Sequence, residues 1–222
     1  MTRQRKIFWT IVTLAILVGY FALFFWMKSA GVHAKAEDIP APETQSEALA
    51  PAEGALAYFA GGCFWCVEKD FEKLDGVGDV ISGFMGGAEE NPVYGRLAPG
   101  SLHQEAVQVP YDPAIISYRE LVDYFFRHID PLDDGGQFCD RGHEYKTGIW
   151  VTNAEERAIA EAAKAQAESE LGESVVTPIY DVVPFWQVAD YHQDFYKKNP
   201  VRYSTYRLGC GRDARVNRVW GK

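Results

Sequence analysis

Four cysteines stand in the chain: Cys63, Cys66, Cys139 and Cys210. Two of them form C-x-x-C within Gly61-Gly62-Cys63-Phe64-Trp65-Cys66-Val67-Glu68. A cysteine does chemistry as the thiolate, so its surroundings decide its use. Cys63 follows a short apolar run and a Gly-Gly break, at the start of an expected helix. Unpaired backbone N–H groups and the helix macrodipole favour negative charge there. Gly61 and Gly62 let the backbone come close to a bound group. The pattern reads as a redox-active nucleophile at Cys63. The competing reading is a small buried hydrophobe, the usual fate of a free cysteine. Phe64 and Trp65 are either ordinary core or the walls of an apolar pocket beside that nucleophile.

Other uses of the cysteines are excluded. No second C-x-x-C and no His-x3–5-His follows, which argues against a structural zinc site. Val67, not His, follows Cys66, which excludes covalent haem attachment. Four cysteines in a chain that is 47% hydrophobic are too few for a disulfide scaffold. No cofactor and no metal is expected. The net charge of −9 argues against nucleic acid as a partner.

The elements that must position Cys63 follow from periodicity and punctuation. Leu56–Phe59 reads as a strand and Phe64–Lys73 as a helix. Val77–Phe84 reads as a strand, then a Gly-, Asn- and Pro-rich loop covers Gly86–Ser101. Glu105–Val109 alternates as a strand and runs on to the Tyr111-Asp112-Pro113 turn. Ser117-Tyr118-Arg119-Glu120 is a capping box that opens a helix to His128. A polar loop spans Asp130–Lys146, Thr147–Thr152 is a β-branched strand, and Asn153 caps an Ala- and Glu-rich helix ending before Gly172. Val175–Asp181 is a further strand. The segment from Phe185 is expected to be irregular with one helical stretch. The order β-α-β-β-α-β, then α-β, predicts an α+β fold. It is a ferredoxin-like split βαβ sandwich with an antiparallel or mixed sheet and helices on one face.

The motifs carry a resemblance. G-C-F-W-C-V-E is similar to the signature of the type A peptide-methionine sulfoxide reductases. Asn91-Pro92-Val93-Tyr94 resembles the N-P-x-Y loop of that family, and His103-Gln104-Glu105-Ala106-Val107 its H-x-E-A-V strand. Tyr111-Asp112-Pro113 follows at the matching place. Asp140-Arg141-Gly142 with Tyr145 resembles the D-x-G-x-x-Y segment. Tyr191-His192-Gln193 and Asn199-Pro200 resemble the C-terminal segment. The likeness spans roughly Ala57 to Cys210.

The resemblance implies a mechanism. Cys63 attacks the sulfoxide sulfur, Glu105 protonates the sulfoxide oxygen, and Tyr94 and Tyr145 hydrogen-bond that oxygen. Asp140 helps shape the site, and Phe64 and Trp65 hold the S-methyl group. The products are methionine and a sulfenic acid on Cys63. The S epimer is the implied substrate, in proteins or free. A sulfoxide oxygen leaves poorly unless protonated, so Glu105 must be a neutral carboxyl, which partial burial favours. The ordinary alternative for Glu105 is an outward-facing strand residue. His103, His143 and His192 are read as hydrogen-bonding structural residues.

A sulfenic acid needs a second thiol. Cys210, in the Gly-flanked Leu208-Gly209-Cys210-Gly211, is the first candidate resolver. Cys66, on the same helical face as Cys63, is the second, and Cys139 is a relay or a bystander. The resulting disulfide calls for a thioredoxin-like or membrane-delivered reductant, with oxidised proteins as substrates. Two departures fall on the substrate rim: Phe84 where the family often has Tyr, and Gly142-His143-Glu144-Tyr145-Lys146-Thr147 in place of the commoner G-T-Q-Y-R-S. The rival class is a thioredoxin-like thiol–disulfide exchanger, although its usual motif places Trp before the first Cys whereas Trp65 lies inside the pair. A non-enzymatic clamp for oxidised partners is a third reading.

The remaining sequence bears on location. Residues 1–6 carry Arg3, Arg5 and Lys6, and residues 7–27 have no charge. A charge-free run of that length suits one transmembrane helix, and the basic flank predicts a cytoplasmic N-terminus. Residues 28–54, rich in Ala, Pro and Glu, read as a linker, and 55–222 as the catalytic domain outside the cytoplasm, a monomer. The alternative is secretion after cleavage near Ala36, in Ala34-Lys35-Ala36.

Overall fold

The computed structural model describes residues 55–221. The expected anchor at 7–27 and the expected linker at 28–54 lie outside the described residues. Among the described residues, no helix is long and apolar enough to cross a membrane.

A run of apolar residues at the start of the described region forms β1 (Ala55–Gly61), which lies inside a six-stranded sheet. β1 pairs antiparallel with β3 (Gln104–Tyr111) on one side and with β6 (Thr147–Val151) on the other. β3 also pairs antiparallel with β2 (Ile81–Met85). The order β6-β1-β3-β2 therefore inserts β3 between β1 and β2, which is the split βαβ arrangement. A short β8 (Trp186–Gln187) borders β2, and β7 (Ile179–Asp181) runs parallel to β6, making the sheet mixed. β4 (Gly136–Gln137) and β5 (Asp140–Arg141) form a separate two-stranded pair within the expected polar loop.

Side chains alternate between the two faces of the sheet. Ala57, Phe59, Phe84, Val107, Val109, Ile149 and Val151 pack with apolar residues of three helices. These are α1 (Phe64–Phe71), α2 (Tyr118–Phe126) and α3 (Ala154–Leu171). Tyr58, Ala60, Met85, Ala106 and Trp150 gather with Phe185 in a second cluster on the other face. Burial on both faces explains why β3 reads as a nearly continuous buried run. It also fixes the direction of Glu105: two positions before Val107 in the alternation, it points to the helix side and pairs across β2 with Phe84.

The expected caps are in place. The Ser117 side chain accepts from Glu120 N while Glu120 reaches back to the Ser117 amide, completing the capping box of α2. Asn153 caps α3 through Glu156 N at 2.9 Å. Two differences have local causes. Val77 makes only an isolated bridge to Tyr111, so β2 begins at Ile81. Pro178 has no N–H to give a ladder, and β7 begins one residue after it rather than at Val175.

The C-terminal segment is far more helical than its sequence suggests, with α4 (Phe195–Lys198), α5 (Pro200–Cys210) and α6 (Arg212–Val219). Pro200 suits the first turn of α5. Polar anchors then hold these helices where apolar ones are sparse. Asp194 N donates to Glu68 at 2.6 Å, and the Gln193 amide bonds both N–H and C=O of Ser82. Arg207 pairs with Asp70 at 3.0 Å, and Arg215 with Asp130 at 2.6 Å.

Candidate active site

Cys63 is the N-cap of α1, placed by the turn that leaves β1. That turn needs glycine at 62, where φ is +80° and a Cβ would lie 2.6 Å from the Gln137 side chain. Gln137 is itself fully buried and clamps the backbone of Asp130 through its amide. Arg212 closes the turn from the other side, donating to the carbonyls of Gly61 and His128 at 3.0 Å each.

The helix start does not make Cys63 a resting thiolate, contrary to the expectation from its position. Burial pushes its pKa well above the ordinary thiol value, and the neighbouring Cys66 adds to this. The N-terminal field of α1 favours the anion, but loss of water around a side chain only 7% exposed outweighs it. Cys66 moves the other way, to about 7. A hydrogen bond from Cys63 lowers it most, and the guanidinium charges of Arg212 and Arg207 add to that.

Glu105 reaches this turn from β3. Its carboxyl accepts from Phe64 N at 2.9 Å, satisfying one of the unpaired N–H groups at the start of α1. The side chain is buried, and burial raises its pKa well above the usual carboxylate value, with Asp140 and Glu144 reinforcing the shift. Glu105 is thus a neutral acid beside Cys63, not an outward-facing strand residue.

Tyr94 and Tyr145 converge on the same carboxyl from the loop after β2 and from the 3-10 turn His143–Tyr145. Burial holds both phenols above their ordinary pKa, so both are hydrogen-bond donors. Phe64 lies 5.9 Å from the Tyr94 ring and 6.1 Å from Phe84. Trp65 stacks on Phe195 at 3.7 Å. Asp140, on β5, accepts a hydrogen bond from the Tyr206 hydroxyl. The six residues expected around Cys63 are therefore in one neighbourhood with it.

The expected order of resolving cysteines is not the spatial order. Cys66 lies within one turn of Cys63, its amide donating to the Cys63 carbonyl at 3.0 Å, and both cysteines are free. Cys210, the first candidate, is joined to Cys139 in a disulfide with Cα atoms 4.9 Å apart. The Gly-flanked segment that suggested a mobile arm instead ends a regular helix, α5, and the bond to Cys139 occupies its sulfur.

Two residues of the site were missed or misread from sequence. His192 makes aromatic contacts rather than the expected ring hydrogen bonds: its ring lies 4.2 Å from Tyr94, 5.4 Å from Phe64 and 5.8 Å from Trp65. Burial lowers its pKa to about 4, so it is a neutral wall of the pocket. By contrast, His103 bridges Glu89 O and Gly87 N, and His143 bonds Leu102 O, as structural residues do. Tyr206, on α5, gave no signal in the sequence, yet its hydroxyl donates to Asp140 and its ring stands edge-on to Trp65 at 6.0 Å.

The arrangement offers a buried thiol, a neutral carboxylic acid, two phenolic donors and an aromatic wall. That set can bind a polar oxygen beside a small apolar group and deliver a proton to it while sulfur attacks. Comparison with known proteins agrees. The family model for peptide methionine sulfoxide reductase matches residues 55–222. Peptide methionine sulfoxide reductase MsrA 2 of Rhizobium meliloti is 51% identical over 170 residues, 77% of this chain and 85% of that protein. MsrA of Bacillus velezensis is 45% identical over 168 residues, 74% of this chain and 95% of that protein. Among solved structures, reduced Mxr1 of Saccharomyces cerevisiae superposes with a TM-score of 0.63 at 30% identity, covering 68% of this chain and 89% of that one. Methionine sulfoxide reductase A of Corynebacterium diphtheriae gives 0.59 at 27% identity, covering 72% and 84%. With the whole described fold matched and its thiol, acid and phenols gathered at one turn, this chain belongs to the peptide methionine sulfoxide reductase family.

Proposed function

We propose that this reductase acts on methionine-S-sulfoxide by the following steps, with the buried Glu105–Phe64 N contact beside Cys63 as the observation that carries the reading. The S-methyl group sits against Phe64 and Trp65, and the sulfoxide oxygen between Glu105, Tyr94 and Tyr145. The Cys63 thiolate attacks the sulfoxide sulfur with its lone pair. Glu105 protonates the oxygen as the Cys63–substrate S–S bond forms; the hydroxyl then passes to the Cys63 sulfur while the substrate S–O bond and that S–S bond break, so methionine leaves and Cys63 is left as a sulfenic acid. Cys66 attacks that sulfenic sulfur, forming the Cys63–Cys66 disulfide and releasing water. A dithiol of the thioredoxin class then returns two electrons and two protons. Cys66 takes precedence over Cys210 because it already lies against Cys63, while Cys139–Cys210 is a separate pair.

The decisive experiment offers each sulfoxide epimer of a short peptide to the purified protein with dithiothreitol and quantifies methionine. Turnover of the S epimer, lost in Cys63→Ser, is expected. Turnover of the R epimer instead, or insulin disulfide reduction with the sulfoxide untouched, would sink this reading.

The uncharged run at 7–27 behind Arg3, Arg5 and Lys6 supports a signal-anchor that holds a monomeric catalytic domain outside the cytoplasm. The intact mass of membrane-extracted protein separates an anchor from cleavage near Ala36. External protease digestion of spheroplasts tests the side of the membrane.

A further inference from the structure

Cys139, Asp140 and Cys210 meet at one point of the fold. Cys139 lies in the turn between β4 and β5, Asp140 opens β5, and Cys210 is the last residue of α5. The two sulfurs and one oxygen of the Asp140 carboxylate all lie within 4.8 Å of one another. Cys139 Sγ is 3.6 Å from Asp140 Oδ1. The other carboxylate oxygen, Oδ2, accepts from the Tyr206 hydroxyl, which leaves Oδ1 turned toward the sulfur. No spacing motif announces this set, because 71 residues separate the two cysteines.

Two thiolates and a carboxylate are ligands of zinc, with Zn–S bonds of about 2.3 Å and Zn–O bonds of about 2.1 Å. Tetrahedral angles between such bonds put S and O about 3.6 Å apart. That separation is already present between Cys139 and Asp140. Two thiolates on one zinc stand about 3.8 Å apart, so the sulfurs must part once their bond is reduced. The chain around Cys210 allows this movement: Gly209 and Gly211 flank it, and open space adjoins both. Cys139 is exposed, so a fourth position on the ion faces water. The sulfur ligands favour zinc over calcium or magnesium, which take oxygen.

We propose that reduction of the Cys139–Cys210 disulfide opens a zinc site, in which Cys139, Cys210 and the Asp140 carboxylate bind the ion and water completes its shell. A dithiol of the thioredoxin class supplies two electrons and two protons and is itself oxidised to a disulfide. Zinc then displaces one proton from each thiol, forming two Zn–S bonds and one Zn–O bond. The Tyr206 hydroxyl keeps Oδ2 and orients the carboxylate, as outer partners of metal ligands do. The ion replaces the disulfide as the cross-link between the β4–β5 hairpin and the end of α5. Disulfide and zinc exclude each other, because each needs both sulfurs.

The cluster of Glu68, Glu72 and Asp194 is no rival for the ion. Lys197 pairs with Glu72 and with Asp194 at 2.7 Å each, and Glu68 accepts from Ser82 and from Asp194 N. Its charges already have partners within the chain.

The test uses the protein carrying Cys63→Ser and Cys66→Ser, which removes the other two thiols as zinc ligands. Its disulfide form is compared with the form reduced by a phosphine that is then removed. Zinc uptake is read by competition with a chromogenic chelator. Cobalt serves as a second probe, through thiolate-to-metal charge transfer and the visible bands of a tetrahedral ion. The reduced form should bind one equivalent and the disulfide form none. Cys139→Ser, Cys210→Ser and Asp140→Asn should each weaken binding by more than about tenfold, the low end for losing even an outer partner of a metal. Zinc should also raise the urea midpoint of the reduced form and leave that of the disulfide form unchanged. The comparison of two redox states of one sequence stands even where a ligand variant fails to fold. Absence of uptake by the reduced form overturns the proposal. Equal uptake by both forms, or uptake that survives Cys139→Ser, marks adventitious binding and overturns it too. Uptake that needs both cysteines but is unchanged in Asp140→Asn overturns the three-ligand site.

Discussion

Glu105 and Phe64 lie 41 residues apart in sequence, yet the Glu105 carboxyl accepts the Phe64 amide at 2.9 Å. One bond thereby caps α1 and places an acid beside the nucleophile. The carboxyl is neutral because it is buried, so its pKa is raised in the folded state. Such a group stabilises the fold below its unfolded value, and that contribution is lost as pH rises through the folded value. Glu105→Gln should therefore raise the urea midpoint relative to wild type at pH 8 and leave it unchanged near pH 4. The same variant should lower the single-turnover rate about a hundredfold or more, because glutamine keeps the cap but gives no proton. Equal stability of the two proteins at pH 8 would contradict a buried neutral carboxyl.

Tyr94 and Tyr145 approach Glu105 from two different loops, and both keep their phenolic protons. As donors to an oxygen that gains charge in the transition state, each should matter more to kcat than to KM. Tyr94→Phe and Tyr145→Phe should each lower kcat about 10²-fold, the scale of losing one oxyanion donor. A rise in KM with kcat intact would instead make them ground-state binding residues.

Much of this site was legible in the sequence because its pieces are local. Cys63 after Gly-Gly, the alternating β3 run and the Ser117 capping box each carry their signal within a few residues. The C-terminal segment does not. On α5, only Tyr203 is buried, so no apolar stripe announces the helix. Its stability comes from long-range ion pairs such as Arg207–Asp70, which periodicity does not register. For the same reason Tyr206 was invisible, and Cys210 looked like a free arm. The thiol state of Cys63 was misjudged for another cause: position at a helix start is local, but the burial that opposes it is a property of the finished fold.

The pairing of Cys139 with Cys210 closes a span of 71 residues. Cross-linking a loop of that size stabilises by about 4 kcal/mol on the chain-entropy account. The oxidised protein should therefore unfold at a clearly higher urea concentration than Cys139→Ser or Cys210→Ser, and reduction should erase the difference. An unchanged midpoint on reduction would mean that the reduced segment holds its place through Arg207, Arg212 and Arg215 alone.

Cys66, free and against Cys63, gives the last test. Cys66→Ser should form about one methionine per enzyme and stop without added thiol, leaving a sulfenic acid on Cys63 that dimedone labels. Wild type under the same conditions should give little label and a Cys63–Cys66 disulfide by peptide mapping. Cys210→Ser should behave as wild type in this assay, because its sulfur is already committed to Cys139. The reverse pattern, with sulfenic acid accumulating only in Cys210→Ser, would require α5 to unwind during each cycle and carry Cys210 to Cys63. That motion would break the Tyr206 contact with Asp140 and the Arg207–Asp70 pair. Cys66 needs no such rearrangement, because it lies one helical turn from the sulfur it must reach.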